Sequence, residues 1–543
     1  LRTAVAACLF ACGLALFARA DDWHATGKQG AVVAGSSEAV EAGLEMLKAD
    51  GNAVDAAVAS LLMLSVTDAG NFCFGGEVPI LVSNAERKSV EVIAGQGAAP
   101  RLATLEHFQK LGGIPGKGPS AAAVPAALDA MLVALERHGT LTFGRVSAPM
   151  LRVLASKPDP WCQDLARTIE QLVAAEKQAP EDRRRGLRLA ADCFYRGPIA
   201  RRIDAWSQAN GGLLRYVDLA THVTRVEEPA TVDYRGHTVV KCGVWTQGPC
   251  LLQSLRVLEG LSPELKSLGH NSADYVHVTA EALKLALADR DTYYADPLFH
   301  DVPLEALLSR KYADLRRPLI DLRRASLELR PGDPLGNRPL KEAPTPGEKP
   351  SGRQQDTTTC LTADRWGNVV AATPSGWGGV VAGDTGVTLG SRLQSLSTQP
   401  GHPNCIEPGK RPRITLTPTL VLKEGQAVLA ISVAGGDLQD QVSLQLLLNC
   451  VDFNMSAVDA VTAARFSTSH HIGSFGQTPP KLGNLTLDDE LADRIAADLQ
   501  ARGHQVQRVK PPQGHPCVLT LDPETGVKRA AGDPKAKRRA GAY

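Results

Sequence analysis

The sequence predicts an α+β fold built in layers, and three observations carry that reading. Over the first two thirds of the chain, apolar residues recur at helical spacing. The last third turns into strand pairs joined by short turns. Ala, Val and Leu dominate while aromatic residues make up only 5%, which suits helices packed on sheets better than a binding surface rich in Tyr and Trp.

With 543 residues, 43% of them hydrophobic, and a formal net charge of +1, the chain is long enough for a large core and shows no bias towards nucleic acid or acidic ligands. Residues 1–20, "LRTAVAACLFACGLALFARA", read as a signal peptide: one basic residue, Arg2, an apolar run from Ala4 to Phe17, and small residues at Ala18 and Ala20. The run is too short for a stable membrane span. Export to a periplasm or to the medium is therefore expected. The second apolar run, Ala53 to Val66, contains Asp55 and reads as a buried helix.

In "SSEAVEAGLEMLKADGNAVDAAVASLLMLSV" a first helix is capped by Ser36 or Ser37, buries Val40, Leu44 and Leu47, and stops at Gly51, with a second helix from about Asn52. "SADYVHVTAEALKLALADRDTYYADP" repeats the pattern, with Ser272 as cap and Val276, Ala280, Leu283 and Leu287 on one face. Strands are expected at Val78 to Val82 and Thr238 to Lys241. Eleven cysteines, two of them in the signal, leave an odd number in the mature chain, so at least one thiol is free or intermolecular. Cys242 and Cys250 are either a pair or two small buried residues. No Cys/His spacing fits a zinc site, the adjacent His470-His471 reads as surface, and no metal or cofactor is assigned.

From Pro331 the run "PGDPLGNRPLKEAPTPGEKP" reads as exposed and poorly ordered, the first part of a flexible linker over residues 331–356. Beyond it lie three hairpins: "TTTCLTA" with "NVVAATPS", "TLVLK" with "AVLAISV", and "CVLTLD" with "VKRAAG". A helix of about Leu438 to Asn449 follows the second, entered through Ala434-Gly435-Gly436-Asp437 with Asp437 as its cap.

A linker that runs into a strand beginning with Thr makes chemical sense if the chain is cut there. A threonine at a chain start carries its own base, because its α-amine has a pKa near about 8 and lies within reach of its hydroxyl. Thr357 would make that start by attacking the carbonyl of Asp356. Two glycines between a strand and a helix, Gly435 and Gly436, present outward N–H groups suited to an oxyanion. The plain alternative for the threonine run is β-forming residues at a strand edge.

At these residues the chain resembles the γ-glutamyltransferase family of N-terminal nucleophile (Ntn) hydrolases, and the resemblance covers nearly the whole mature chain. "EAGLEMLKADGNAVDAAVA", "AEALKLALADRDTYYADP", "TTTCLTADRWGNVVAATPS", "PGKRPRITLTPTLV" and "AGGD" match family segments in family order. The resemblance implies a four-layer αββα sandwich, made as one precursor that cuts itself into a large subunit (21–356) and a small catalytic subunit (357–543) that stay associated. It implies Thr357 as nucleophile and base, Ser375 as supporting hydroxyl, and Gly435 and Gly436 as the oxyanion pair.

The substrate reader departs from the family. Gln96 stands where the family has an arginine for the glutamate α-carboxylate, and Ser395 where it has an aspartate for the α-ammonium. Trp377 replaces Asn, Arg392 replaces Gln, and Ile414-Thr415 replaces a Ser-Ser pair. An ammonium buried without an anion is costly. Arg392 is either a carboxylate reader or a solvated charge; Trp377 either covers an apolar acyl group or belongs to the core. The expected activity is cleavage of a small-molecule amide or peptide, γ-glutamyl or a related acyl-amide, through a threonyl acyl-enzyme with transfer to water or an amine. The competing readings are an acylase on non-glutamyl amides, as in the family's cephalosporin-acylase-like branch, and an uncleaved pseudoenzyme with a binding role.

Overall fold

The computed structural model describes residues 22–261, 264–344 and 357–543. The segment read as a signal peptide, Asp356 and residues 345–355 lie outside the described residues. Two seven-stranded sheets form the centre, and every neighbouring pair in them is antiparallel. The first runs Arg539–Ala542, Gly30–Ala34, Cys360–Asp364, Val369–Ala372, Val78–Asn84, Ser89–Gly95 and Arg225–Glu227 from edge to edge. The second runs His24–Gly27, Lys528–Gly532, His515–Leu521, Gln426–Ala434, Thr419–Lys423, His237–Lys241 and Ala230–Tyr234.

The two-residue period of a strand explains the layers. Val32, Ile80 and Val370 face outward into a core shared with the helices Ser37–Lys48 and Ala53–Thr67. Their neighbours Val33, Leu81 and Ala371 face inward and meet Val240, Leu420, Ala430 and Leu519 of the second sheet. On its far side, Val239, Val421, Ile431 and Val518 pack under the helices Pro249–Glu259, Ala273–Tyr293 and Gln439–Val451. The result is the expected αββα sandwich. Because both faces of each sheet are covered, the central strands read as apolar runs without alternation.

Local chemistry sets the element starts. The Ser36 side chain accepts from Ala39 N, so Ser36 caps the first helix. Asn52 and Asp55 form a capping box, with Asn52 Oδ1 accepting from Val54 N and Asp55 N and Asp55 Oδ2 accepting from Asn52 N. Ser272 caps Ala273–Tyr293 by accepting from Tyr275 N. That helix is buried nearly all round, beyond the single apolar face expected of it. All three expected hairpins are present.

Three expectations are corrected or resolved. Pro331, Gly332 and Pro334 are buried where an exposed linker was expected: Gly332 N donates to Asp289 at 2.8 Å and Tyr293 Oη donates to Gly332 O at 2.8 Å. His470 and His471, read as surface, are buried, because Gly483 N donates to His470 Nδ1 and His471 lies beside Arg290. The cysteines of the described residues are all free thiols, Cys242 and Cys250 among them. Among the described residues no helix is long and apolar enough to cross a membrane.

The capping box is tied to a distant turn: Asp55 also accepts from Thr140 N, Thr140 Oγ1 and Leu141 N. Asp55→Ala strips acceptors from all of these and should lower unfolding free energy in denaturant by about 3 kcal/mol or more. Asn52→Ala, which removes the cap and the Asn52 Nδ2 bond to His138 O at 2.6 Å, should cost less, about 1–2 kcal/mol in the same measurement.

Candidate active site

The strand pair Cys360–Asp364 and Val369–Ala372 sets the site. Its register places Cys360 opposite Ala372, and continuing it backwards brings Thr357 opposite Ser375. Thr358 N donates to Pro374 O at 3.0 Å, which holds that continuation in place. Ser375 in turn bridges Glu77 on its other side, with Glu77 N donating to Ser375 O at 3.0 Å and Ser375 N to Glu77 O at 2.9 Å. Thr357, Ser375 and Glu77 thus form one row across three strands, all three buried. Residues directly opposite in a sheet point to the same face.

The second sheet supplies the turn that faces this row. Strand Gln426–Ala434 ends in Gly435 at φ +143° and Gly436 at φ +58°, backbone that a side chain would strain. Among the described residues no acceptor is paired with either glycine N–H. A short 3₁₀ turn, Gly436–Leu438, leads into helix Gln439–Val451. Gln439 Nε2 donates to Thr357 Oγ1 at 3.3 Å. The hydroxyl and the glycine turn are therefore three residues of chain apart across that contact.

Asp437 is not the cap of this helix. Leu438 precedes Gln439 and no side chain caps the helix. The Asp437 carboxylate instead meets Arg290 Nη1 at 2.6 Å and accepts from Ser474 N at 2.9 Å and Ser474 Oγ at 2.5 Å. Burial alone would raise its pKa; Arg290, with His471 and Arg413, overrides this and holds the carboxyl well below the usual range. Arg290 also donates to Gln247 Oε1, Asp291 and Ile472 O, and Gln247 Nε2 reaches Gly436 O at 3.4 Å. The glycine turn is pinned from behind by a buried, fully paired charge network.

The residues expected to read the substrate divide into groups. Arg392 is buried, which excludes a solvated charge. Its guanidinium holds Glu77 Oε1 from Nε at 2.6 Å and from Nη2 at 2.5 Å, donates from Nη2 to Ser375 Oγ at 2.7 Å, and lies 3.4 Å from Ser395 Oγ through Nη1. Trp377 stands edge-on to Phe475, ring centroids 5.7 Å apart, and the same Phe475 ring lies 5.8 Å from the Arg392 guanidinium carbon. A Cβ on Gly436 would lie 3.4 Å from that ring. Thr415 is buried and its Oγ1 meets no partner among the described residues. Gln96 lies where the register of Val78 and Gly95 would put it beside Glu77, but its backbone already turns, Gln96 N donating to Ala94 O. It lines a cavity of about 470 Å³ with Arg101, Asp218 and Arg411, whose lining includes none of Thr357, Ser375, Trp377 or Arg392.

Sequence reasoning missed Glu77, Arg290, Gln439, Phe475 and Ser474. Arg290 and Asp291 lie within the quoted helical run and were not singled out; the adjacent charges Asp289, Arg290 and Asp291 in one helix are the signal that could have marked them. Elsewhere, His277, Glu281 and His504 bring ligand atoms within 4.8 Å of one another. Glu281 is already met by Lys284 and Arg330, each at 2.7 Å, so this trio reads as a structural knot in the helix layer.

Comparison with known proteins identifies the family of this fold. A sequence profile described as gamma-glutamyltranspeptidase matches residues 39–171 and 160–543. The chain is 32% identical to an acylase ACY 1 proenzyme of Pseudomonas sp. (strain SE83), over 94% of each chain. It is 30% identical to a glutathione hydrolase proenzyme of Escherichia coli (strain K12), over 94% of this chain and 91% of the relative. Among solved structures, LmbA2991HD superposes with a TM-score of 0.86 at 33% identity, over 96% of this chain and 99% of that one. A cephalosporin acylase from Bacillus halodurans superposes with a TM-score of 0.79 at 27% identity, over 96% and 97%. The chain belongs to the gamma-glutamyltranspeptidase family of N-terminal nucleophile hydrolases.

Proposed function

We propose that this amidohydrolase is an exported, self-processing acylase that uses Thr357 as its nucleophile and prefers acyl groups without an α-ammonium. The observation that carries the reading is the convergence of Thr357, Ser375 and the Gly435–Gly436 turn across the two sheets, with Gln439 Nε2 3.3 Å from the Thr357 oxygen. Cleavage between Asp356 and Thr357 would release the α-amine that the hydroxyl needs as base. Two relatives are named as proenzymes, which supports such a step. The residue ranges 21–356 and 357–543 are then the large and small subunits, and residues 1–20 the export signal.

In the processed enzyme the Thr357 amine takes the proton from Oγ1 as that oxygen attacks the amide carbon. The oxyanion is held by the N–H groups of Gly435 and Gly436, and the amine passes its proton to the leaving nitrogen. Water or an amine then attacks the acyl ester by the reverse path. Substrate preference rests on two side chains. Ser395 offers no charge to an α-ammonium, and Arg392 turns its Nη1 towards that serine, so a cation there meets a guanidinium. Trp377 and Phe475 form the apolar wall beside it.

Three outcomes test this reading. Purified wild type should run as two fragments on a denaturing gel, the smaller beginning Thr357-Thr358-Thr359, while Thr357→Ala stays as one chain; an intact, folded wild type would overturn it in favour of a pseudoenzyme. A glutaryl anilide should turn over faster than the γ-glutamyl anilide of the same leaving group, and the opposite order would return the chain to γ-glutamyl chemistry. Gly436→Ala, whose side chain would strain the turn at φ +58°, should lower kcat about 10-fold or more with a smaller change in KM.

A further inference from the structure

We propose that Arg392 is a positioning residue: it fixes the Ser375 hydroxyl as a hydrogen-bond donor towards Thr357, and thereby keeps the Thr357 amine in its basic form at lower pH than an ordinary chain start. This rests on the reading of Thr357 as an N-terminal nucleophile. It adds a role for the one charged residue that the site has gained relative to the family pattern.

A guanidinium has only donors to offer, whereas a serine hydroxyl can donate or accept. With Arg392 Nη2 2.7 Å from Ser375 Oγ, the serine oxygen must accept on that side, and its single proton is directed elsewhere. The strand register puts Thr357 directly across from Ser375. A hydroxyl that donates to the neutral amine stabilises the neutral form, while one that accepts from the ammonium stabilises the charged form. Without Arg392 the serine could do either. With Arg392 on one lone pair, the hydroxyl proton is turned away from the guanidinium and donation to the neutral amine is favoured over a second acceptance.

Glu77 makes the arrangement possible. A guanidinium this buried needs an anion, and Glu77 supplies it at 2.5 Å while its backbone is bonded to Ser375 on the same row. The pair is therefore fixed to the very strand position whose side chain it orients.

The other ionisable groups near the Thr357 end are paired or buried. Arg538 donates to Thr358 Oγ1 at 3.1 Å and reaches Asp68 at 3.5 Å. His515 lies 3.0 Å from Arg538 and is pushed down to about 4 by burial and that charge, so it is neutral where the amine titrates. Burial pushes the Cys73 thiol, beside Glu77, far up, so it stays protonated. Asp437 stays ionised against Arg290.

The sign follows directly. A lowered amine pKa moves the acid limb of kcat/KM to lower pH, since the base must be unprotonated to act. In processed wild type, with a glutaryl anilide as probe between about pH 5 and pH 10, the limb should lie about one unit below the ordinary value near 8. A wild-type limb at or above about 8 overturns the proposal without any variant. Arg392→Met should move the limb up by about one unit with KM changed less than kcat. The double variant Glu77→Gln/Arg392→Met, which leaves no buried carboxylate unpaired, should keep that upward shift. Arg392→Lys, which keeps a donor and a charge, should stay close to wild type.

Each protein is first checked for two fragments with Thr357 at the start of the smaller. Uncut wild type sinks the nucleophile reading itself. Arg392→Met or the double variant, cut normally but sharing the wild-type limb, sinks this inference alone, as does a loss of kcat in either with an unmoved limb.

Discussion

The register between Cys360–Asp364 and Val369–Ala372 is the constraint on which the site depends. Side chains alternate across a strand, so a slip of one residue would turn Ser375 to the face opposite Thr357 and take Glu77 and Arg392 with it. Asp364 guards against that slip at the hairpin end. Its carboxylate accepts from Trp366 N, Asn368 N and Asn368 Nδ2, closing the turn, and from Ala53 N, the first residue of the long buried helix. One aspartate thus couples the hairpin's register to the helix layer. The chemical end of the hairpin is aligned from its far end.

Charge is arranged around the site with unusual economy. Arg290 with Asp291 and Arg392 with Glu77 are buried ion pairs, and Arg290 with Asp437 is a largely buried one, the kind whose desolvation roughly offsets their attraction. Their net contribution to stability is small, yet removing one partner would leave an unpaired charge in a dry interior. What they supply is direction. Arg290 holds the Asp437 carboxylate and the Gln247 amide that reaches Gly436 O, and Arg392 aims a donor at a serine; both are planar forks that tolerate few alternative placements.

Much of the scaffold was legible because its signals are local. Ser36, Asn52 and Ser272 sit within a turn of the amides they cap, and each hairpin joins segments separated by a few residues. The threonine, the serine and the two glycines could be located through ordered family segments. The contacts that give the site its character were not legible, because they span the chain: Glu77 and Arg392 are 315 residues apart, and Arg290 and Asp437 are 147 apart. No periodicity encodes such a pairing. His470 and His471 were misread for the same reason, since polar residues look exposed until their partners are known, and Asp437 looked like a cap until Arg290 claimed its carboxylate.

The free thiols have a consequence for the covalent life of the molecule. Cys73, Cys242, Cys250, Cys360 and Cys517 are buried, and burial raises the pKa of each, Cys517 to about 11. Thiol exchange and oxidation proceed through the thiolate, which these groups hardly form at neutral pH. These five thiols of the native sandwich are therefore shielded from the redox poise of the surroundings, while Cys193 and Cys450 are only half-buried. The unfolded chain, with every thiol in water at its ordinary pKa, has no such shield, so the interval between synthesis and packing is when this sequence is open to mispairing.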